Sequence, residues 1–218
     1  MSTPYYPVIL FDLDGTLTDP YAGIAASFLY TLEQLELPRP DEDTLRAWIG
    51  PPLHATFKRL LGDDAAADQA VAMYRSRYEP IGAFENRVYQ GIPELLTDLR
   101  KAGCRLAVTT SKLEDSARMI LQHFQLAPYF ELLVGASRDG KLSAKADIIH
   151  IAIKELGLSR QMVVMVGDRE HDVIGARTHN IPCIGVAYGY GGAAELHDAG
   201  AVAVAESVAD LRKLLLDA

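Results

Sequence analysis

Cysteine is nearly absent from this chain: Cys104 and Cys183 are the only two among 218 residues. Both lie in apolar, strand-like contexts. They exclude a disulfide framework and a CxxC metal site, and both are expected to be reduced, buried small hydrophobes. Also missing is any apolar run of about 18 residues, the length that spans a bilayer. The N-terminus shows no basic-then-apolar leader pattern. The expectation is a soluble, cytoplasmic protein with no membrane partner. Positive charge is in short supply, with 21 Lys+Arg against 29 Asp+Glu and a formal charge of −8. That balance speaks against a basic face for nucleic-acid polymer. A small anionic substrate stays possible, because a local cation or a helix N-terminus can outweigh the global charge. Internal repeats and low-complexity segments are lacking, and Trp48 is the only tryptophan.

Apolar residues make up 49% of the chain, enough for a sizeable core, and the length suits one large domain or one domain carrying a smaller insert. Strand-like runs recur at Val8–Phe11, Arg105–Thr109, Leu132–Gly135, Met162–Val166, Cys183–Ala187 and Ala201–Ala205. Amphipathic helical stretches fall at Ile92–Ala102, Asp115–Phe124, Ala146–Leu156, Asp172–His179 and Val208–Leu216. Strand alternating with helix predicts an α/β fold: a three-layer, Rossmann-like core with a mostly parallel sheet. The stretch from Pro20 to Phe84 has helical spacing instead. Ile24, Phe28, Leu32 and Leu35 share one face, and further helices fit Asp43–Trp48, Leu53–Leu61 and Ala66–Tyr78. The expected organisation is a catalytic core of residues 1–17 and 86–218 with a helical cap domain at 18–85. Thr18–Pro20 and Phe84–Arg87 are the expected hinges.

The most telling segment is Val8-Ile9-Leu10-Phe11-Asp12-Leu13-Asp14-Gly15-Thr16. An unbroken apolar run reads as a strand buried on both faces, and Asp12 and Asp14 follow its carboxyl end, where open α/β sheets place ligands. Two bare carboxylates a few ångströms apart repel unless a cation or proton neutralises them. Three other motifs end apolar runs or open a helix. They are Thr110-Ser111-Lys112, Lys145 after Gly140-Lys141-Leu142-Ser143, and Gly167-Asp168-Arg169-Glu170-His171-Asp172. A parallel sheet brings such ends to one edge.

DxDGT, a strand-terminal Thr/Ser, a Lys and GDxxxD in this order resemble the haloacid dehalogenase superfamily of phosphatases, over essentially the whole chain. The resemblance implies that Asp12 is the nucleophile and Asp14 the general acid and base. It also implies that Asp12, Asp168 and the backbone carbonyl of Asp14 hold Mg²⁺, a hard cation suited to anionic oxygen ligands. Thr110 and Ser111 would contact the phosphoryl oxygens, and Lys145 would hold the phosphoryl group and steady Asp12. Lys141 competes for that role, but Lys145 directly precedes a helix and matches the family's spacing to GDxxxD. Asp172, one helical turn beyond Asp168, is expected in the metal's outer shell or paired with Lys145. Asp14 argues for phosphoryl transfer over dehalogenation. Phosphomutases share all four motifs, and a non-catalytic phosphometabolite-binding relative is a further alternative.

Substrate choice is expected to fall to the cap, with Arg46, Trp48, Gly50 and Pro51 as candidate specificity residues beside Tyr21, Pro52, Leu53, His54 and Lys58. Packing within the cap is the favoured role for Trp48. The Gly-Pro-Pro-Leu loop and Gly-Asp-Arg-Glu-His-Asp-Val-Ile-Gly-Ala resemble the 5′-nucleotidase-like branch more than the phosphoglycolate phosphatases. A nucleoside 5′-monophosphate is therefore the expected substrate, phosphoglycolate or another small phosphorylated metabolite the alternative, and the protein a monomer or homodimer. Tyr188-Gly189-Tyr190-Gly191-Gly192 reads either as a mobile cleft loop or as a plain turn.

Overall fold

A computed structural model describes residues 6–157 and 163–216. The described residues form two compact units, one falling within residues 1–19 and 88–218, the other within residues 20–87. The first carries a six-stranded sheet built from β1 (Val8–Phe11), β4 (Arg105–Leu113), β5 (Leu132–Ala136), β6 (Val163–Gly167), β7 (Cys183–Val186) and β8 (Ala203–Ala205). Their order is β5-β4-β1-β6-β7-β8, and every pairing is parallel. A short separate sheet pairs β2 (Thr18–Asp19) with β3 (Arg87–Val88).

The central strand is β1, flanked by β4 and β6, and the order of connection reverses there, making it a topological switch point. All four of its side chains are buried. Val8 and Leu10 join a core cluster with Ile148, Ile149 and Ala152 of α7 (Lys145–Glu155), while Phe11 meets Phe130 edge-on at 6.2 Å. Register fixes the edge: Phe11 lies opposite Val108 on one side and Val166 on the other. The residues that follow each strand are therefore neighbours in space, although far apart in sequence.

The predicted helices of this unit appear as α5 (Ile92–Lys101), α6 (Glu114–His123), α7, α8 (Glu170–Thr178) and α10 (Val208–Leu216). Three features depart from expectation. The strand β4 runs on to Leu113, the last strand begins at Ala203, and an unforeseen helix α9 occupies Gly192–Ala199. Met162, expected to open the fourth strand, lies outside the described residues.

The helical unit contains α1 (Tyr21–Gln34), α2 (Glu42–Ala47), α3 (Leu53–Leu61) and α4 (Asp64–Arg77), which a π turn at Tyr78–Gly82 follows. Its core gathers on Phe28, whose ring centroid lies 4.9 Å from Trp48, 5.0 Å from Tyr74 and 5.3 Å from Phe57. Asp41 caps α2 by accepting from the Thr44 N–H, and Asp63 caps α4 by accepting from the Ala66 N–H, each at 2.8 Å. Among the described residues no helix is long and apolar enough to cross a membrane.

Candidate active site

Four carboxylates and two ammonium groups meet at the carboxyl edge of the sheet. Strand alternation carries Asp12 onto the face of β1 that holds Val8 and Leu10, the face covered by α7. Lys145 opens that helix, and its Nζ lies 3.0 Å from Asp12 Oδ1 and 2.7 Å from Asp172 Oδ1. The same Nζ donates to the Thr109 carbonyl at 2.9 Å. Three acceptors match the three protons of an ammonium. Burial alone would lower the Lys145 pKa, but the Asp12 and Asp172 carboxylates outweigh it and hold the pKa above the ordinary lysine value. Lys145 is fully cationic at neutral pH. Lys141, by contrast, is a surface residue whose Nζ pairs with Asp139 at 3.1 Å.

Oxygens of Asp12, Asp168 and Asp172 all lie within 4.8 Å of one another. Asp172 sits at the third position of α8, where its Oδ2 accepts the Arg169 N–H at 3.2 Å, so a capping contact and the Lys145 ion pair coexist. The pair Asp168 and Asp172 is buried, not a solvated helix start. Burial, reinforced by the neighbouring Asp172 and Asp12, pushes the Asp168 pKa well above the aspartate range. Burial likewise raises Asp172 against the pull of Lys145. Gly15 is what allows Asp168 to come so near: its φ is +81°, and a Cβ there would lie 2.1 Å from Asp168 Oδ2.

Asp14 faces a different partner. Lys112 Nζ lies 2.6 Å from Asp14 Oδ2, with both side chains largely buried. Burial raises the Asp14 pKa, and Lys112 only partly offsets it. Lys112 arrives there because β4 bulges. Thr109 pairs with Val134 and Leu113 with Ala136, so four residues of β4 span only two pairing steps of β5. Thr110 and Ser111 lie in this bulge, with Thr110 Oγ1 accepting the Lys112 N–H at 3.3 Å. Thr110 does not cap the following helix, whose N-cap is Leu113.

With all four aspartates ionised, Lys112 and Lys145 leave the cluster two charges short of neutrality (4 − 2 = 2). Asp168 Oδ1 and Asp14 Oδ1 are buried with no hydrogen-bond partner. Buried acceptors of this kind need a counter-charge. A hard divalent cation fits both the charge deficit and the oxygen-only donor set.

The family profile described as haloacid dehalogenase-like hydrolase matches residues 9–186. The chain belongs to that family. The chain is 45% identical over 184 residues to the tyrosine-protein kinase PtkA of Mycobacterium tuberculosis, covering 84% of the present chain but only 63% of that protein's length. It is 42% identical over 211 residues, 96% of each chain, to a 5′-nucleotidase of Pseudomonas aeruginosa. Among solved structures it superposes on a predicted phosphatase from Clostridium acetobutylicum with a TM-score of 0.94 at 44% identity, covering 99% of this chain and 100% of that one.

The candidate specificity residues belong to the helical unit, where contacts within that unit place them. Trp48 packs on Phe28, Arg46 lies 4.5 Å over the Tyr21 ring and pairs with Glu42, and Gly50 and Pro51 form the turn leading into α3. Lys58 and His54 engage Asp64 and Asp68 on the surface. Two contacts of the carboxylate cluster were not read from the sequence. The Lys112 side chain was one, although its motif was singled out. The other was the Tyr190 N–H, 2.8 Å from Asp168 Oδ2, in a segment whose sequence reads as either a cleft loop or a plain turn.

Proposed function

We propose that this hydrolase is a Mg²⁺-dependent phosphomonoesterase that works through an aspartyl-phosphate on Asp12, with nucleoside 5′-monophosphates as its substrates. The observation that carries the proposal is Asp12 held between the Lys145 ammonium and the Asp168 carboxylate, with a two-charge deficit around it. Asp12, Asp168 and the Asp14 backbone carbonyl would hold the ion. When bound, the ion neutralises the carboxylates and offsets charge on the phosphoryl oxygens.

In the first half-reaction an Asp12 carboxylate oxygen attacks phosphorus, the ester P–O bond breaks, and Asp14 gives its proton to the departing alkoxide. Burial raises the Asp14 pKa, which suits it to hold that proton better than an exposed aspartate does. In the second half-reaction Asp14 takes a proton from water as the water oxygen attacks phosphorus. The bond from phosphorus to Asp12 then breaks, freeing inorganic phosphate and the original carboxylate. Lys145 balances the phosphoryl charge throughout, and Thr110 and Ser111 contact its oxygens. The helical unit serves as the cap, with Arg46, Trp48, Gly50 and Pro51 its specificity residues.

The 5′-nucleotidase relative and the Gly-Pro-Pro-Leu loop support the substrate class. The test is kcat/KM for GMP, IMP, UMP and phosphoglycolate in magnesium. Preference for the nucleotides is the expected result, and preference for phosphoglycolate refutes the substrate assignment. Similarity to a protein named as a tyrosine kinase makes the acceptor worth testing too. Phosphoryl transfer from ATP to a tyrosine peptide, without matching phosphate release, would replace water by a phenol as the acceptor.

A further inference from the structure

The segment between β7 and α9 is tied to the site by a set of directed contacts that the hydrolytic scheme does not use. Tyr190 is anchored at both ends. Its backbone N–H donates to Asp168 Oδ2 at 2.8 Å, and its phenol donates to Asp19 Oδ1. The Gly191 N–H donates to the Asp168 carbonyl at 3.2 Å. The Tyr188 phenol donates to the Thr16 carbonyl at 3.0 Å, and its ring stands edge-on to Tyr89 with centroids 4.9 Å apart. Gly189 completes the fit, since a Cβ there would lie 2.3 Å from Asp168 Cβ and 2.5 Å from the Gly15 carbonyl oxygen. One short stretch thus contacts the acidic loop at Asp168 and the loop that carries Asp12 and Asp14. It ends on Asp19, the last residue before the chain enters the helical unit.

The direction of the Tyr190 N–H has a consequence for Asp168. With Oδ2 engaged, the carboxylate cannot rotate freely, and the oxygen left without a partner is Oδ1. A ligand fixed in this way loses less freedom when it takes up a cation, which is how outer contacts raise metal affinity. We propose that Tyr190 is a positioning residue that fixes the Asp168 carboxylate and ties it to the Asp19 crossing, so that cation binding and the conformation of that crossing are linked. The proposal rests on the reading of Asp168 as a metal ligand. Linkage is reciprocal: whatever stabilises the crossing strengthens cation binding, and the cation stabilises the crossing.

The test is calorimetric titration of MgCl₂ into the metal-free full chain, for wild type, Tyr190→Phe, Asp19→Ala and Asp19→Asn. Tyr190→Phe and Asp19→Ala are each expected to weaken magnesium binding about tenfold, the lower end of the range for contacts outside the ligand shell. Combining them should add nothing further, because both break one bond. Asp19→Asn keeps an acceptor oxygen and should recover most of the affinity. Hydrogen exchange at the Thr18 and Asp19 amides should slow on magnesium addition in wild type and not in Tyr190→Phe. A purely structural role predicts a lower Tm for Tyr190→Phe with wild-type magnesium affinity, and that result overturns the tie while leaving the metal site standing. Additive losses in the double variant overturn it equally. Wild-type protein that takes up no magnesium overturns both the tie and the metal reading beneath it.

Discussion

Replacing Lys145 by Met removes one charge while leaving a side chain of similar length. The Lys145 side chain is 5% exposed and its Nζ reaches Asp12, Asp172 and the Thr109 carbonyl at 3.0, 2.7 and 2.9 Å. Without it the excess of the fully ionised cluster rises from two negative charges to three, and Asp12 and Asp172 face each other without the Lys145 ammonium between them. Removing one partner of a buried ion pair costs about 3–5 kcal/mol, because the remaining charge is left uncompensated. For a chain of this size 1 kcal/mol moves Tm by roughly 2–4 °C, so Lys145→Met in EDTA should melt about 6–20 °C below wild type. Adding Asp172→Asn should restore part of that loss, since the two side chains act as a pair. Activity should fall by about 10²–10³, the effect of losing a preorganised charge beside the transferring group. Thermal denaturation followed by circular dichroism gives the answer. A Lys145→Met protein that melts with wild type in EDTA would refute the electrostatic account of the cluster.

Three further outcomes follow from the same geometry. Phe28→Ala should cost about 3–5 kcal/mol, because Phe28 touches Trp48, Phe57 and Tyr74 at once, and denaturant unfolding that shows no such loss would contradict the assigned core. Gly15→Ala should abolish most of the proposed phosphatase activity with little loss of secondary structure, since its Cβ would displace Asp168; near-normal kcat/KM would contradict the close approach. Asp14, Asp168 and Asp172 all have folded pKa values raised above the unfolded aspartate value. Their contribution to stability is complete below about pH 4 and is lost as pH rises through the raised values. Metal-free protein should therefore melt lower at pH 7.5 than at pH 5, and magnesium should raise Tm more at the higher pH. An equal magnesium effect at the two pH values would contradict the competition between protons and cation.

What the sequence made legible was local. Four buried residues running into Asp12-x-Asp14 announce a strand and its charged end without help from the rest of the chain. The strand-helix alternation after Phe84 announces a parallel sheet. Register then does the rest, because Phe11 stands between Val108 and Val166. The features that escaped depend on remote geometry. Lys112 reaches Asp14 only because β4 bulges against β5 between Thr109 and Leu113, and no pattern within the strand specifies a bulge. The helix α9 opens on Gly192 with Gly191 before it, residues that weaken helical patterning, and it is held by Arg169 bonding to Glu195 at 2.8 Å. Tyr190 reads as a loop tyrosine until the fold brings Asp168 and Asp19 to its two ends.

Pre-steady-state turnover of p-nitrophenyl phosphate by Asp14→Asn tests the covalent role of Asp12 most directly. p-Nitrophenolate departs without needing a proton, so the first half-reaction survives the substitution while hydrolysis of the phosphorylated Asp12 slows. The account predicts a burst of about one equivalent of p-nitrophenolate per active site, followed by slow turnover, and no burst when Asp12→Asn is added. Linear release without a burst, at a rate close to wild type, would contradict it, as would a burst that persists without the Asp12 carboxylate.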